Sequence, residues 1–136
     1  MFKEIDSNDK ELIEVARDVL QKRYRPVRHT VAAAVLCDSG RIYTGINIEA
    51  CGYGPCAEPI AIGSAFTNGD WNIRTIVAVC KKDDRYPVLS PCGNCRQLIF
   101  DYAPDAMVIF DNNGKIMKTE ARNLLPGHYN SEFGNT

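Results

Sequence analysis

Two short stretches, Pro55-Cys56-Ala57-Glu58 and Pro91-Cys92-Gly93-Asn94-Cys95-Arg96, constrain this chain more than any others. Their three thiols can share one metal ion only if the fold brings both stretches to a single point. Three protein ligands mark a catalytic zinc rather than a structural one, because a position stays open for water. Zn²⁺ binds thiolates well and brings such a water to a pKa of about 7. Glu58 is separated from Cys56 only by Ala57, so its carboxylate can lie beside the metal and move protons without being a ligand. Each stretch also opens an apolar run, 60–66 and 98–102, so that the positive end of a helix favours thiolate at both. Cys56, Cys92 and Cys95 are therefore the candidate zinc ligands, one ion per subunit, and Glu58 the candidate acid and base.

A chain of 136 residues, 45% hydrophobic and 24% charged, suits a single domain spanning 1–136. The formal net charge of −1 offers no electrostatic footprint for nucleic acid or for an anionic membrane surface, so a small molecule is the expected partner. The start, Met1 to Asp6, lacks the apolar run of a signal peptide, and no stretch reaches the roughly 18 apolar residues of a membrane span. A cytoplasmic location is expected. Six cysteines in a chain with this much helix and strand patterning read as reduced thiols rather than a disulfide scaffold. Cys37 and Cys80 end apolar strand-like runs and read as small buried hydrophobes.

Asn8 and Glu11 have capping-box spacing, and Leu12, Ala16, Val19 and Leu20 share one helical face, which predicts an amphipathic helix over 9–24, stopped by Pro26. Residues 30–36 read as a strand buried on both faces, and Asp38-Ser39-Gly40 as the turn to a returning strand over 41–48. Asn68-Gly69 closes the first motif helix. Residues 75–79 form a β-branched strand, 81–86 a solvated loop, and 106–110 and 115–117 a hairpin around Asp111-Asn112-Asn113-Gly114. A last helix covers 120–125. The order implies a mixed five-stranded sheet flanked by helices, an α/β fold.

Cys-Ala-Glu at one helix start and Pro-Cys-Gly-x-Cys at another resemble the zinc-dependent cytidine deaminase superfamily, whose signature is a ligand-x-Glu followed by Pro-Cys-x-x-Cys. Gly45-Ile46-Asn47-Ile48-Glu49 resembles the sugar-binding segment of the small free-nucleoside deaminases, and Leu124-Leu125-Pro126 the segment leading to their C-terminal aromatic lid. Ala61-Ile62-Gly63-Ser64-Ala65, Leu89-Ser90-Pro91-Cys92-Gly93 and Asp101-Tyr102-Ala103-Pro104-Asp105 look closest to the blasticidin S deaminases. The resemblance implies a three-layer α/β/α fold and a homotetramer. It also implies hydrolytic removal of the 4-amino group from cytidine, deoxycytidine or blasticidin S, with uracil product and ammonia, Glu58 serving N3 and then the leaving amine. By residue type alone Asn47 and Glu49 are ordinary polar residues at a strand exit. The resemblance assigns them to sugar hydroxyls, Thr30 to another substrate contact, the Ala57 backbone to the base and Tyr129 to a cover over the bound substrate. His29 is left without a role.

Three departures stand against that pattern. Ala50-Cys51-Gly52-Tyr53-Gly54 lacks the usual Asn and is shorter than the corresponding link in cytidine deaminases. Pro59 replaces the arginine that follows the catalytic glutamate there and offsets the negative charge of three thiolates, although proline suits a first helical turn. Arg96 is the candidate substitute. Pro59 and the short link favour blasticidin S, whereas Asn47 and Glu49 favour cytidine. Two other classes fit part of the pattern: a structural zinc site closed by Cys51, and a thioredoxin-like dithiol at Cys92 and Cys95. Neither gives Glu58 a purpose.

Overall fold

The computed structural model describes residues 1–130. In chain order these form β1 (Lys3–Glu4), α1 (Ser7–Arg23), β2 (Val31–Cys37), β3 (Ile42–Ile46), α2 (Ala57–Thr67), β4 (Ile73–Cys80), β5 (Val88–Leu89), α3 (Gly93–Tyr102), β6 (Met107–Asn112), β7 (Lys115–Glu120) and a 3-10 turn, Ala121–Leu124. The strands make one mixed sheet in the order β1-β7-β6-β4-β2-β3, with β5 paired to β4. Among the described residues only β4 and β6 run parallel; the other pairs are antiparallel. The sheet thus has seven strands among the described residues rather than the expected five. The two additional ones are two-residue segments, too short to carry an alternating pattern; Lys3 of β1 lies opposite the remote Lys118, and Leu89 of β5 opposite Ala78.

Alternation along the central strands builds the layers. Ala32 and Ala34 of β2, Val77 and Val79 of β4 and Ile109 of β6 face α1, whose Leu12, Ile13, Ala16 and Leu20 recur at helical spacing and are buried against them. Ala33, Val35, Ile76, Ala78, Val108 and Phe110 point to the opposite face and meet Ala57, Ala61, Ile62 and Ala65 of α2 and Ile99 of α3. The result is the expected α/β/α sandwich. Small residues on β2 let both helical layers come close, and Gly45 on β3 goes further. A Cβ there would sit 2.5 Å from the Ala61 nitrogen and 2.9 Å from the Ala57 oxygen, so β3 and α2 touch backbone to backbone.

The start of α1 differs from its sequence reading. Asp6, not Asn8, is the N-cap: its Oδ1 accepts the Asp9 N–H at 3.0 Å while Asp9 Oδ2 accepts the Asp6 N–H at 2.9 Å. The decisive partner is remote in sequence. Lys118 on β7 places its ammonium 2.7 Å from Asp9 and 3.3 Å from Asp6, favouring the frame that begins two residues earlier. Tyr24 ends the helix with extended backbone, and Asn113 and Gly114 turn the β6–β7 hairpin with φ of 53° and 96°, the left-handed pair a tight hairpin needs. The last predicted helix is a single 3-10 turn.

Two predictions follow from this packing. Gly45→Ala forces β3 away from α2 and is expected to destabilise the protein by about 3 kcal/mol; an unchanged thermal midpoint contradicts the contact. The Asp9 amide and then the Lys118 ammonium hold the Asp6 carboxyl below its usual range. Its contribution is therefore complete above the unfolded pKa near 3.8 and is lost as pH falls through the lower folded value. Asp6→Asn is expected to flatten the acid limb of an unfolding-versus-pH curve, and an identical limb in the variant counts against it.

Candidate active site

Cys56 and Cys92 are the N-caps of α2 and α3, with almost the same extended backbone, φ −65° and ψ 169° against φ −69° and ψ 171°. Cys95 lies one turn inside α3 and is buried. The three sulfurs all fall within 4.8 Å of one another, and those of Cys56 and Cys92 are 3.7 Å apart. A tetrahedral ion with Zn–S bonds of about 2.3 Å separates its sulfurs by about 3.8 Å, so this edge already matches a zinc tetrahedron. All six cysteines are free thiols. Cys51 is exposed and stands outside the cluster, Cys37 is buried with its thiol pushed up to about 11 by burial and the Asp70 carboxylate, and Cys80 is half-buried.

The electrostatics ask for a cation. Burial pushes the Cys95 thiol far up, helped by the Glu58 carboxylate and by the Cys92 and Cys56 thiols, and burial also raises Cys56. At Cys92 burial acts in the same sense, but the Cys95 N–H, the neighbouring thiols and the Asn94 N–H outweigh it and hold that thiol below its ordinary value. One thiolate is thus favoured by the helix start, while three together need a divalent ion to offset desolvation and mutual repulsion. Glu58 is only 5% exposed; burial pushes its carboxyl up, against opposing hydrogen bonds from its own amide and the Cys95 thiol.

Beside the thiols opens a cleft of about 290 Å³ lined by polar Thr30, Asn47, Glu49 and Ser90, by Cys56, Glu58 and Cys92, and by Val31, Gly54, Ala57 and Leu89. Its size is near the lower end of small-molecule sites, about 300 Å³. The sequence-derived ligands, the acid and Thr30, Asn47, Glu49 and Ala57 thus converge. A wider groove of about 630 Å³ between Glu14, Arg17, Asp84, Tyr86 and Asp111 holds none of them.

The comparisons agree with this geometry. Residues 6–111 match the family model described as the cytidine and deoxycytidylate deaminase zinc-binding region. The chain belongs to that family. It is 43% identical over 132 residues to a blasticidin-S deaminase of Bacillus cereus, covering 92% of this chain and 94% of that one. It is 34% identical over 126 residues to a cytidine deaminase of Sporosarcina psychrophila, covering 89% and 90%. The crystal structure of a cytidine deaminase from Burkholderia pseudomallei superposes with a TM-score of 0.73 at 30% identity, over 92% of this chain and all of that one. A cytidine deaminase structure from Bacillus anthracis, at 24% identity and TM-score 0.78, shares the fold. The protein is thus an enzyme of the zinc-binding deaminase family, with a mixed α/β fold and zinc as its metal.

Some members of the deaminase site were not read from the sequence. Val31 of β2, Gly54 before α2, and Leu89 and Ser90 also line the cleft, the last two because β5 docks on β4, a pairing with no sequence signal of its own. The Ser90 hydroxyl donates to the Asp111 carbonyl and accepts the Asp111 N–H, both at 3.1 Å, tying the approach to Cys92 onto β6. Pro59 occupies the third position of α2, where no amide donor is needed. Arg96, the expected counter-charge, spends its guanidinium elsewhere: Nε donates to the Pro91 carbonyl at 2.8 Å and Nη1 to the Leu124 carbonyl at 3.1 Å. Tyr129 does not line the cleft; it is 73% exposed, with its carbonyl accepting from Gln97 of α3 at 3.2 Å. Cys92→Ser is expected to purify with much less than one zinc per chain while keeping its helical spectrum; full metal content in that variant removes Cys92 from the ligand set.

Proposed function

We propose that this chain, as one deaminase domain, hydrolyses the 4-amino group of a free cytosine nucleoside or nucleoside analogue to the uracil product and ammonia. The observation that carries the reading is the buried carboxylate of Glu58 beside three converging thiols at the mouth of a nucleoside-sized cleft. Cys56, Cys92 and Cys95 hold the metal, which when bound supplies the Lewis acidity that makes water a nucleophile near neutral pH. Glu58 takes a proton from the attacking water and delivers it to ring N3, then carries the second proton to the amino group as it leaves as ammonia. Its burial suits the task, since a raised pKa brings a carboxyl closer to the pH at which it must both accept and donate.

The Ala57 backbone faces the base, Thr30, Asn47 and Glu49 receive the sugar side, and Tyr129 is the aromatic available to cover it. Among substrates, cytidine, deoxycytidine and blasticidin S share the reacting ring and differ beyond it. The 43% identity to a blasticidin-S deaminase favours the antibiotic, and the Asn47–Glu49 pair favours cytidine. A homotetramer and a cytoplasmic location complete the reading; no helix among the described residues is long and apolar enough to cross a membrane.

The deciding assay is ammonia release from cytidine, deoxycytidine, cytosine and blasticidin S by zinc-loaded protein. Turnover dominated by blasticidin S identifies an antibiotic-inactivating enzyme, turnover dominated by the nucleosides a salvage enzyme, and silence on all four rejects the reading. Glu58→Gln is expected to retain zinc and to lose turnover by at least about 10²-fold; a near wild-type rate removes Glu58 from its role.

A further inference from the structure

The sugar-side wall of the cleft is not built by the helices that carry the thiols. It is the exit of β3, where Asn47, Ile48 and Glu49 follow Ile46. A strand exit with no helix behind it needs other restraints, and here they come from both sides. On one side lies the turn of residues 25–29. Arg28 Nη1 donates to the Glu49 carbonyl at 3.1 Å, and His29 Nδ1 donates to the Asn47 carbonyl at 2.9 Å. The bonding is reciprocal: Asn47 Oδ1 accepts the N–H groups of Thr30 and Val31 at 2.7 and 3.0 Å. On the other side the Ile48 N–H donates to the Pro55 carbonyl at 3.0 Å, one residue before Cys56.

The turn is held in a form its sequence does not favour. Val27 has φ of 70°, the left-handed region in which a β-branched residue is an outlier, and its side chain is 78% exposed, so packing does not select it. Arg25 and His29 lock the turn by exchanging backbone hydrogen bonds at 3.1 and 2.9 Å. Backbone of this kind persists where surrounding bonds over-determine it, and it collects at functional sites. Here it delivers two side chains in succession onto the carbonyls that flank Ile48.

The same bonds divide the labour between the two cleft residues. Asn47 Oδ1 is committed to the backbone, and its Nδ2 lies 3.3 Å from Glu49 Oε1. Glu49 therefore keeps the acceptor oxygens on the cleft side. Gly54 lets the loop before Cys56 come close to this exit: a Cβ there would lie 3.1 Å from the Ile48 carbonyl.

We propose that Arg28 and His29 are positioning residues: by holding the Glu49 and Asn47 carbonyls they set where the Glu49 carboxylate stands, and so govern substrate binding rather than the chemical step. This rests on the reading of the cleft as the nucleoside site. The test compares Arg28→Ala, His29→Ala and the double variant with wild type on the substrate that wild type turns over, with zinc content and thermal midpoint in parallel. KM is expected to rise about tenfold in each single variant while kcat stays within about twofold, the pattern of lost uniform binding. Zinc content stays unchanged, and Arg28→Lys, which keeps a cationic donor, recovers most of the KM. An unchanged KM in the double variant overturns the proposal and leaves deamination standing; a parallel loss of kcat and zinc also overturns it, because the turn would then serve the metal end. If wild type turns over none of the four substrates, the nucleoside reading has failed and amide exchange decides alone. Faster exchange at Asn47 and Ile48 in Arg28→Ala upholds the clasp, and unchanged exchange overturns it.

Discussion

Two helices that begin at the same point are the constraint on which the chemistry of this molecule depends. Cys56 and Cys92 stand 3.7 Å apart as N-caps with matching backbone, and that separation is possible only if α2 lies against β3 with no side chain between them. Gly45 supplies the missing side chain. From the other direction, α3 connects the parallel strands β4 and β6, and the β5 pairing with Ala78 and Val79 draws the Ser90-Pro91 approach onto the C-terminal end of β4. Open α/β sheets place ligands beyond the carboxyl ends of their strands, and the cleft follows that rule.

The electrostatic problem created by this convergence is solved locally. Zinc held by these three thiolates would carry a net negative charge, the Glu58 carboxylate is buried close to them, and the position after Glu58 is a proline. Arg96 is adjacent in sequence but is directed to the Pro91 and Leu124 carbonyls, where it fastens the metal loop to the 3-10 turn. The partial charges that favour thiolate at Cys92 are instead the amides of Cys95 and Asn94 at the start of α3. A helix start thus supplies through its own backbone part of the compensation that Arg96 does not. It also leaves the first turn of α2 free to accept Pro59.

The thiol cluster and the polar wall of the cleft are held by different means. The thiols ride on helices whose apolar faces are locked into the core. The cleft wall at Asn47 and Glu49 is a strand exit restrained by hydrogen bonds to a strained turn on one side and to Pro55 on the other. Packing fixes the reacting centre, whereas exposed, replaceable contacts shape the wall.

The sequence by itself determined the helices of the metal site, the two hairpins and the candidate thiols and Glu58, while the three-layer order entered through family resemblance. Each of the former rests on residues close in the chain: a 3.6 or 2.0 period, an Asn-Gly turn, a Cys-x-x-Cys at a helix start. Tertiary structure decided what depends on remote partners. Lys118 shifted the cap of α1 to Asp6, β1 and β5 joined the sheet through pairings that two residues cannot announce, and Leu89 and Ser90 reached the cleft through β4. The contacts of Arg28 and His29 with the exit of β3 belong to the same group, since nothing local to a Pro-Val-Arg-His segment specifies an acceptor some twenty residues away. Local chemistry names the reactive groups, and long-range burial and hydrogen bonding decide what stands opposite them.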